Sequence, residues 1–246
     1  MTLFRTIVAG LLALNLFAQA ACADDAAGLD ALVGKNSPLK AGDKIAFLGD
    51  SITQGGAGKN GYIWVIEQAL AASQADKKVE LVKAGISGNK VPDLQKRLDK
   101  DVISKKPTIV FIYIGINDVW HWDSGKGTTK ENFESGLRDV IKRIQDAGAI
   151  VVLATPSVIG EKTDGSNKHD GNLDAYADIS RKIAKENSLV LCDLRKAFLD
   201  HLKESNKANK EAGILTGDRV HLNAAGNKLV ANCAAASIAE ALAKRK

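Results

Sequence analysis

Residues 108–118 read Thr-Ile-Val-Phe-Ile-Tyr-Ile-Gly-Ile-Asn-Asp. From Ile109 to Ile114 the run has no polar face. Such an uninterrupted apolar stretch belongs in a strand covered on both sides. Four further strands follow the same logic: Lys44 to Leu48, Val79 to Ala84, Ile150 to Ala154 and Leu189 to Cys192. Between them, apolar residues recur at helical spacing. Tyr62, Val65, Ile66, Ala69 and Leu70 form one such face, and Phe133, Leu137, Val140, Ile141 and Ile144 another. Leu173, Tyr176, Ala177, Ser180 and Ile183 form a third. Val91 to Val102 reads as a helix with Pro92 in its first turn. Arg195 to about Asn206 reads as helical, and Asn223 is placed to cap a last helix to about Ala243. Strands alternating with helices predict a three-layer α/β/α fold around a five-stranded parallel sheet.

The chain has 246 residues, 45% hydrophobic and 26% charged, which suits one globular domain. Its formal charge of +5 is scattered, with no basic run, which argues against a nucleic-acid partner. Residues 1–23 have the form of a signal peptide. Arg5 is the positive start, Ile7 to Phe17 is apolar, and Ala18-Gln19-Ala20 and Ala21-Cys22-Ala23 offer cleavage sites. The apolar stretch is shorter than the roughly 20 residues of a membrane span. Export is therefore expected, with no stable membrane insertion. Residues 24–43 read as a loose leader, and residues 44–246 as the folded domain. Cys192 and Cys233 are expected as buried free thiols, with a disulfide between them the alternative in an exported protein, and neither has metal-site spacing.

Ligands of open parallel sheets bind beyond the C-terminal strand ends. There the sequence places Gly49-Asp50-Ser51, Gly85-Ile86-Ser87-Gly88-Asn89 and Gly115-Ile116-Asn117-Asp118. Before the last helix comes Asp218-Arg219-Val220-His221. Acyl transfer needs a serine, a base to take its proton, a carboxylate to orient the base, and N–H donors for an oxyanion. All are present.

In these four blocks, which appear in order from Gly49 to Asn223, the chain resembles the GDSL, or SGNH, hydrolase family. The resemblance implies a flavodoxin-like sheet ordered 2-1-3-4-5 and ester hydrolysis without metal or cofactor. It implies Ser51 as nucleophile, His221 as base and Asp218 as the orienting carboxylate. It implies an oxyanion hole of the Ser51 and Gly88 N–H groups and the Asn117 amide. Two positions depart from the family pattern: Lys83 stands where asparagine is common, and Leu222 where proline is common. Neither would supply a catalytic group.

Trp120 and Trp122 are candidates for substrate contact, or for closing their own loop. His121 is a minor alternative base. Asp50 either holds the turn around the serine or meets substrate. Lys44, Lys83, Lys90, Lys96, Arg97 and Lys100 read as solvated face charges. The loops are polar, which points to short-chain, acetyl esters on glycans. Lysophospholipase-like or thioesterase action on longer chains is the alternative, and a non-catalytic glycan-binding module a distant one.

Overall fold

A computed structural model describes residues 26–245. The expected signal peptide lies outside them. Five parallel strands form one sheet: β1 (Lys44–Gly49), β2 (Glu80–Gly85), β3 (Ile109–Tyr113), β4 (Ile150–Ala154) and β5 (Val190–Cys192). Their order is β2-β1-β3-β4-β5, the order the resemblance implies. Every residue of β3 is buried, because helices cover both its faces. The edge strand β2 leaves Glu80 and Lys83 exposed, and Lys83 pairs with Glu67 at 2.8 Å.

Right-handed crossovers put a helix joining leftward strands on one face and those joining rightward strands on the other. On one face pack α4 (Val91–Asp101), α6 (Lys130–Asp146) and α7 (Asp170–Glu186). On the other lie α1 (Ala27–Val33), α3 (Tyr62–Ser73) and α9 (Ala224–Ala243). The helix α8 (Leu194–Ser205) follows β5, with Asp193 as its cap. Two short helices, α2 (Ser51–Gly56) and α5 (Ile116–Trp120), cross the C-terminal edge of the sheet.

The helix α9 is alanine-rich and buried along almost its whole length. A helix apolar on all sides must be enclosed on all sides. It lies between the sheet and α1, which accounts for a departure from expectation. The segment read as a loose leader instead contains α1. Leu32 is fully buried and Leu39 nearly so, and the Leu29 N–H donates to Asn232 Oδ1 at 3.2 Å. Beyond it, Asp43 accepts from Arg245 at 2.7 Å. The expected cap at Asn223 forms, accepting from the Gly226 N–H at 3.0 Å. Cys192 and Cys233 are both buried, and no disulfide joins the two.

Candidate active site

Ser51 opens α2, at the point where β1 leaves the sheet. Asp50 caps this helix, its Oδ1 accepting from the Ile52 N–H at 2.9 Å. Only 2% of Asp50 is exposed, so it holds the turn and faces away from solvent. Burial pushes its carboxyl up to about 7, and the neighbouring negative charge of Asp118 adds to the rise. The helix can lie this close to the sheet because Gly85 ends β2. A side chain there would run into the Gln54 backbone nitrogen.

Ser51 Oγ lies 2.9 Å from His221 Nε2, and His221 Nδ1 lies 2.7 Å from Asp218 Oδ2. The other Asp218 oxygen accepts the backbone N–H groups of His221 (2.7 Å) and Val220 (3.1 Å). Partial burial raises the Asp218 carboxyl, but the His221 ring and these N–H groups outweigh it and leave it below the ordinary carboxylate value. The pair is open to water, with the His221 and Asp218 side chains 43% and 56% exposed. The alternative base His121 is not bonded to Ser51.

Two more blocks converge here. The residues Ile86 to Asn89 form a turn closed by the Asn89 N–H on the Ile86 carbonyl at 3.2 Å. Gly88 occupies its third position at φ +76°, a conformation that favours glycine. A neighbouring N–H, that of Ser87, donates to Gln54 Oε1 at 2.7 Å. Among the described residues, the Gly88 N–H has no acceptor. Ser51 is the first residue of its helix, so its N–H has no intrahelical partner. Asn117, in α5, is 3% exposed, and its Nδ2 donates to the Asn89 carbonyl at 3.1 Å. Behind it, Asp118 is fully buried and accepts from the Val91 N–H at 3.1 Å. Burial pushes this carboxyl to about 6, against the lowering effect of Thr128 and Val91.

The two tryptophans separate. The Trp120 ring stands edge-on to His221, with centroids 6.5 Å apart. Trp122 is exposed on one side and lies against Gly127, with its Nε1 3.4 Å from the Tyr176 hydroxyl. It closes its own loop. A cavity of about 180 Å³ adjoins Trp120, lined also by Lys162, Asn167, His169, Glu211 and Arg219.

Arg97 corrects the reading of it as a solvated charge. Its guanidinium donates to the Gly49 carbonyl at 2.8 Å and to Asn89 Oδ1 at 2.7 Å. It therefore ties the end of β1 to the Gly88 turn. Lys90 donates to the Lys126 carbonyl at 2.7 Å in an exposed hydrogen bond. Nothing local in the sequence marks either partner. Among the described residues, no group of three or more His, Cys, Asp or Glu is placed to hold a metal ion. No described helix is long and apolar enough to cross a membrane.

The sequence matches the GDSL-like Lipase/Acylhydrolase family over residues 47–229. An acetylxylan esterase of Geobacillus stearothermophilus is 32% identical over 210 residues, spanning 78% of this chain and 92% of that protein. The crystal structure of an acetyl xylan esterase, AlAXEase, is 46% identical with a TM-score of 0.76, covering 78% of this chain and 97% of its own. Solved forms of the Geobacillus esterase include a catalytic mutant with a serine replaced by alanine (TM-score 0.69, 30% identity, 80% of this chain and 94% of that one). Another replaces a histidine (TM-score 0.72, 30% identity, 82% and 96%). The uncharacterized lipoprotein YqeF of Bacillus subtilis (strain 168) is 26% identical over 174 residues, 62% of this chain and 70% of its own.

Proposed function

The chain belongs to the GDSL-like lipase/acylhydrolase family and is a carboxylic ester hydrolase, and on that footing we propose that it is an exported esterase that removes acetyl groups from carbohydrate through a Ser51-His221-Asp218 triad. The observation that carries this is the unbroken hydrogen-bond chain from Ser51 Oγ through the His221 ring to Asp218, at 2.9 and 2.7 Å.

In this reading His221 Nε2 takes the Ser51 proton as Oγ attacks the ester carbonyl. Asp218 fixes the ring so that Nδ1 carries its hydrogen and Nε2 is the acceptor. The developing oxyanion meets the N–H groups of Ser51 and Gly88 and the second Asn117 amide hydrogen. Each such donor can be worth about 3–4 kcal/mol in the transition state. The His221 imidazolium then protonates the leaving alcohol. Water, deprotonated by the same ring, attacks the acyl-enzyme and releases the acid. No step needs a metal or a redox cofactor.

The leaving alcohol must depart on the His221 side, where Trp120 and the adjoining cavity lie. The cavity wall is dominated by charged and amide side chains. Hydroxyl groups of a sugar suit that wall better than an alkyl chain does, and an indole edge can meet a sugar ring. The acetylxylan esterases among the relatives support the same substrate class. Export rests on the form of residues 1–23, with the lipoprotein relative in its favour.

Fluorophosphonate labelling with peptide mass spectrometry tests the nucleophile. A stoichiometric adduct on Ser51 is expected, and full esterase activity in Ser51→Ala sinks the assignment. An acyl series from acetyl to palmitoyl tests the substrate, and a preference for the long chains replaces it with the lysophospholipase-like alternative. N-terminal sequencing of protein recovered outside the cytoplasm should begin at a residue between Ala21 and Asp24.

A further inference from the structure

Glu161 lies in the loop after β4 and is fully buried. Among the described residues, no ion pair involves it. Its carboxylate instead collects hydrogen bonds from one stretch of backbone. It accepts the N–H groups of Ile214 (2.8 Å), Leu215 (2.7 Å) and Thr216 (2.5 Å), and the Thr216 hydroxyl (2.8 Å). Burying a carboxyl is costly unless such donors surround it. Four donors converging on one residue from a segment more than fifty positions away form a built junction, not a chance contact.

What the junction holds is the base of the loop that carries Asp218 and His221. Thr216 bridges antiparallel to Leu222, and the Gly217 N–H donates to the His221 carbonyl at 2.8 Å. Asp218 to His221 form the tip of this small hairpin. At the tip Arg219 has φ +83°, a left-handed conformation that a non-glycine residue adopts at a cost. Its carbonyl is held by the N–H of Gly160, the neighbour of Glu161, at 2.8 Å. The Glu161 backbone is itself fixed, its N–H donating to the Glu211 carbonyl at 3.0 Å and its carbonyl accepting from Asn206 Nδ2 at 2.7 Å. The segment 160–161 therefore grips the hairpin at its stem and at its strained tip.

The His221 and Asp218 side chains hydrogen-bond each other but are about half exposed, so packing alone does little to fix them. We propose that Glu161 is a positioning residue that sets the reach of His221 toward Ser51 by clamping residues 214–216. This rests on the triad reading above. A displacement of about 1 Å at such a group can cost about 100-fold in rate.

The test compares Glu161→Gln, Glu161→Asp and Thr216→Val with a remote control, Gln74→Ala, which removes buried hydrogen bonds to the Val33 and Gly34 carbonyls. Thermal unfolding, kcat and KM on an aryl acetate, the pH profile of kcat/KM and the rate of Ser51 labelling are measured on folded protein. In Glu161→Gln the amide nitrogen cannot accept and faces at least the Ile214 N–H. Its kcat should fall about 10–100-fold with KM within about two-fold. The acid limb of its pH profile should shift, and labelling should slow in parallel. Glu161→Asp should recover part of the rate. Thr216→Val, which loses one of the four donors, should lose several-fold in kcat. Gln74→Ala should lose stability but no kcat. Folded Glu161→Gln with wild-type kcat overturns the proposal. If that variant does not fold, unchanged kcat in Thr216→Val overturns it. Failure of the triad reading is separate: it would appear as activity in Ser51→Ala or as labelling elsewhere.

Discussion

The Asn117 side-chain amide donates one hydrogen to the Asn89 carbonyl at 3.1 Å, so the donor after β3 is oriented by the turn that carries Gly88. An amide has two N–H hydrogens. One is spent on orientation, and in the proposed mechanism the other faces the oxyanion. Asn117→Ala should therefore lower kcat by about 10²–10³ with little change in KM. Steady-state kinetics on an aryl acetate would check this. A purely KM effect would remove Asn117 from the oxyanion hole.

Asp218→Asn would keep an oxygen for the Val220 and His221 N–H groups and turn its NH2 toward His221 Nδ1. That donor forces the hydrogen of the neutral ring onto Nε2, where it faces Ser51. In the proposed mechanism Ser51 then has no acceptor for its proton. We expect kcat to fall by about 10²–10⁴, while circular dichroism stays that of the wild type. Retention of more than a tenth of the rate would show that His221 needs no orienting carboxylate.

Asp50 gives a pH dependence of unusual sign. Its folded value of about 7 lies above the roughly 3.9 of an unfolded aspartate. The folded state thus binds the proton more tightly. The cost of burying the charge is absent below about pH 4, grows between about pH 4 and 7, and is complete above. Asn is as good a helix cap as Asp. In Asp50→Asn, Tm relative to the wild type should climb across that window and level off above it. A flat difference from pH 4 to 8 would refute the assignment.

Trp120 and Trp122 should part company in kinetics. Trp120→Ala should raise KM for an acetylated oligosaccharide several-fold and leave an aryl acetate nearly unaffected. Trp122→Ala should leave both KM values alone and lower Tm, since its ring covers Gly127. Equal KM effects in the two variants would mean that the 121–128 loop as a whole, not the Trp120 ring, meets substrate.

The sheet was legible because β1, β3, β4 and β5 are short, nearly continuous apolar runs, a pattern that local sequence carries. The four site blocks were legible for a related reason: each sits where a strand stops or a helix starts. Ser51, Gly88 and Asn117 stand just past the ends of strands, and His221 just before the last helix. The residues that brace the site were not legible. Arg97 shows the spacing of a surface charge on α4, and only the fold brings it to Gly49 and Asn89. Glu161 stands in a polar loop, more than fifty residues before the N–H groups it accepts. The helix α1 escaped notice because seven residues, Ala27–Val33, have too little apolar periodicity to register. Its partner is the alanine surface of α9, which also lacks a one-sided stripe. These contacts are long-range in sequence, and no local pattern encodes them.

The embrace of α1 and α9 also sets an order of events during synthesis. The face of the sheet that α9 covers, with α1 over it, stays bare until residues 224–243 have left the ribosome. Domains fold as units once their chain is available, so the growing polypeptide cannot close this core early. A core left open until then suits the proposed export, since an uncompacted chain can be threaded through a translocation channel. On the proposed export, compaction belongs to the far side of the membrane, where α9 arrives and α1 lies down upon it.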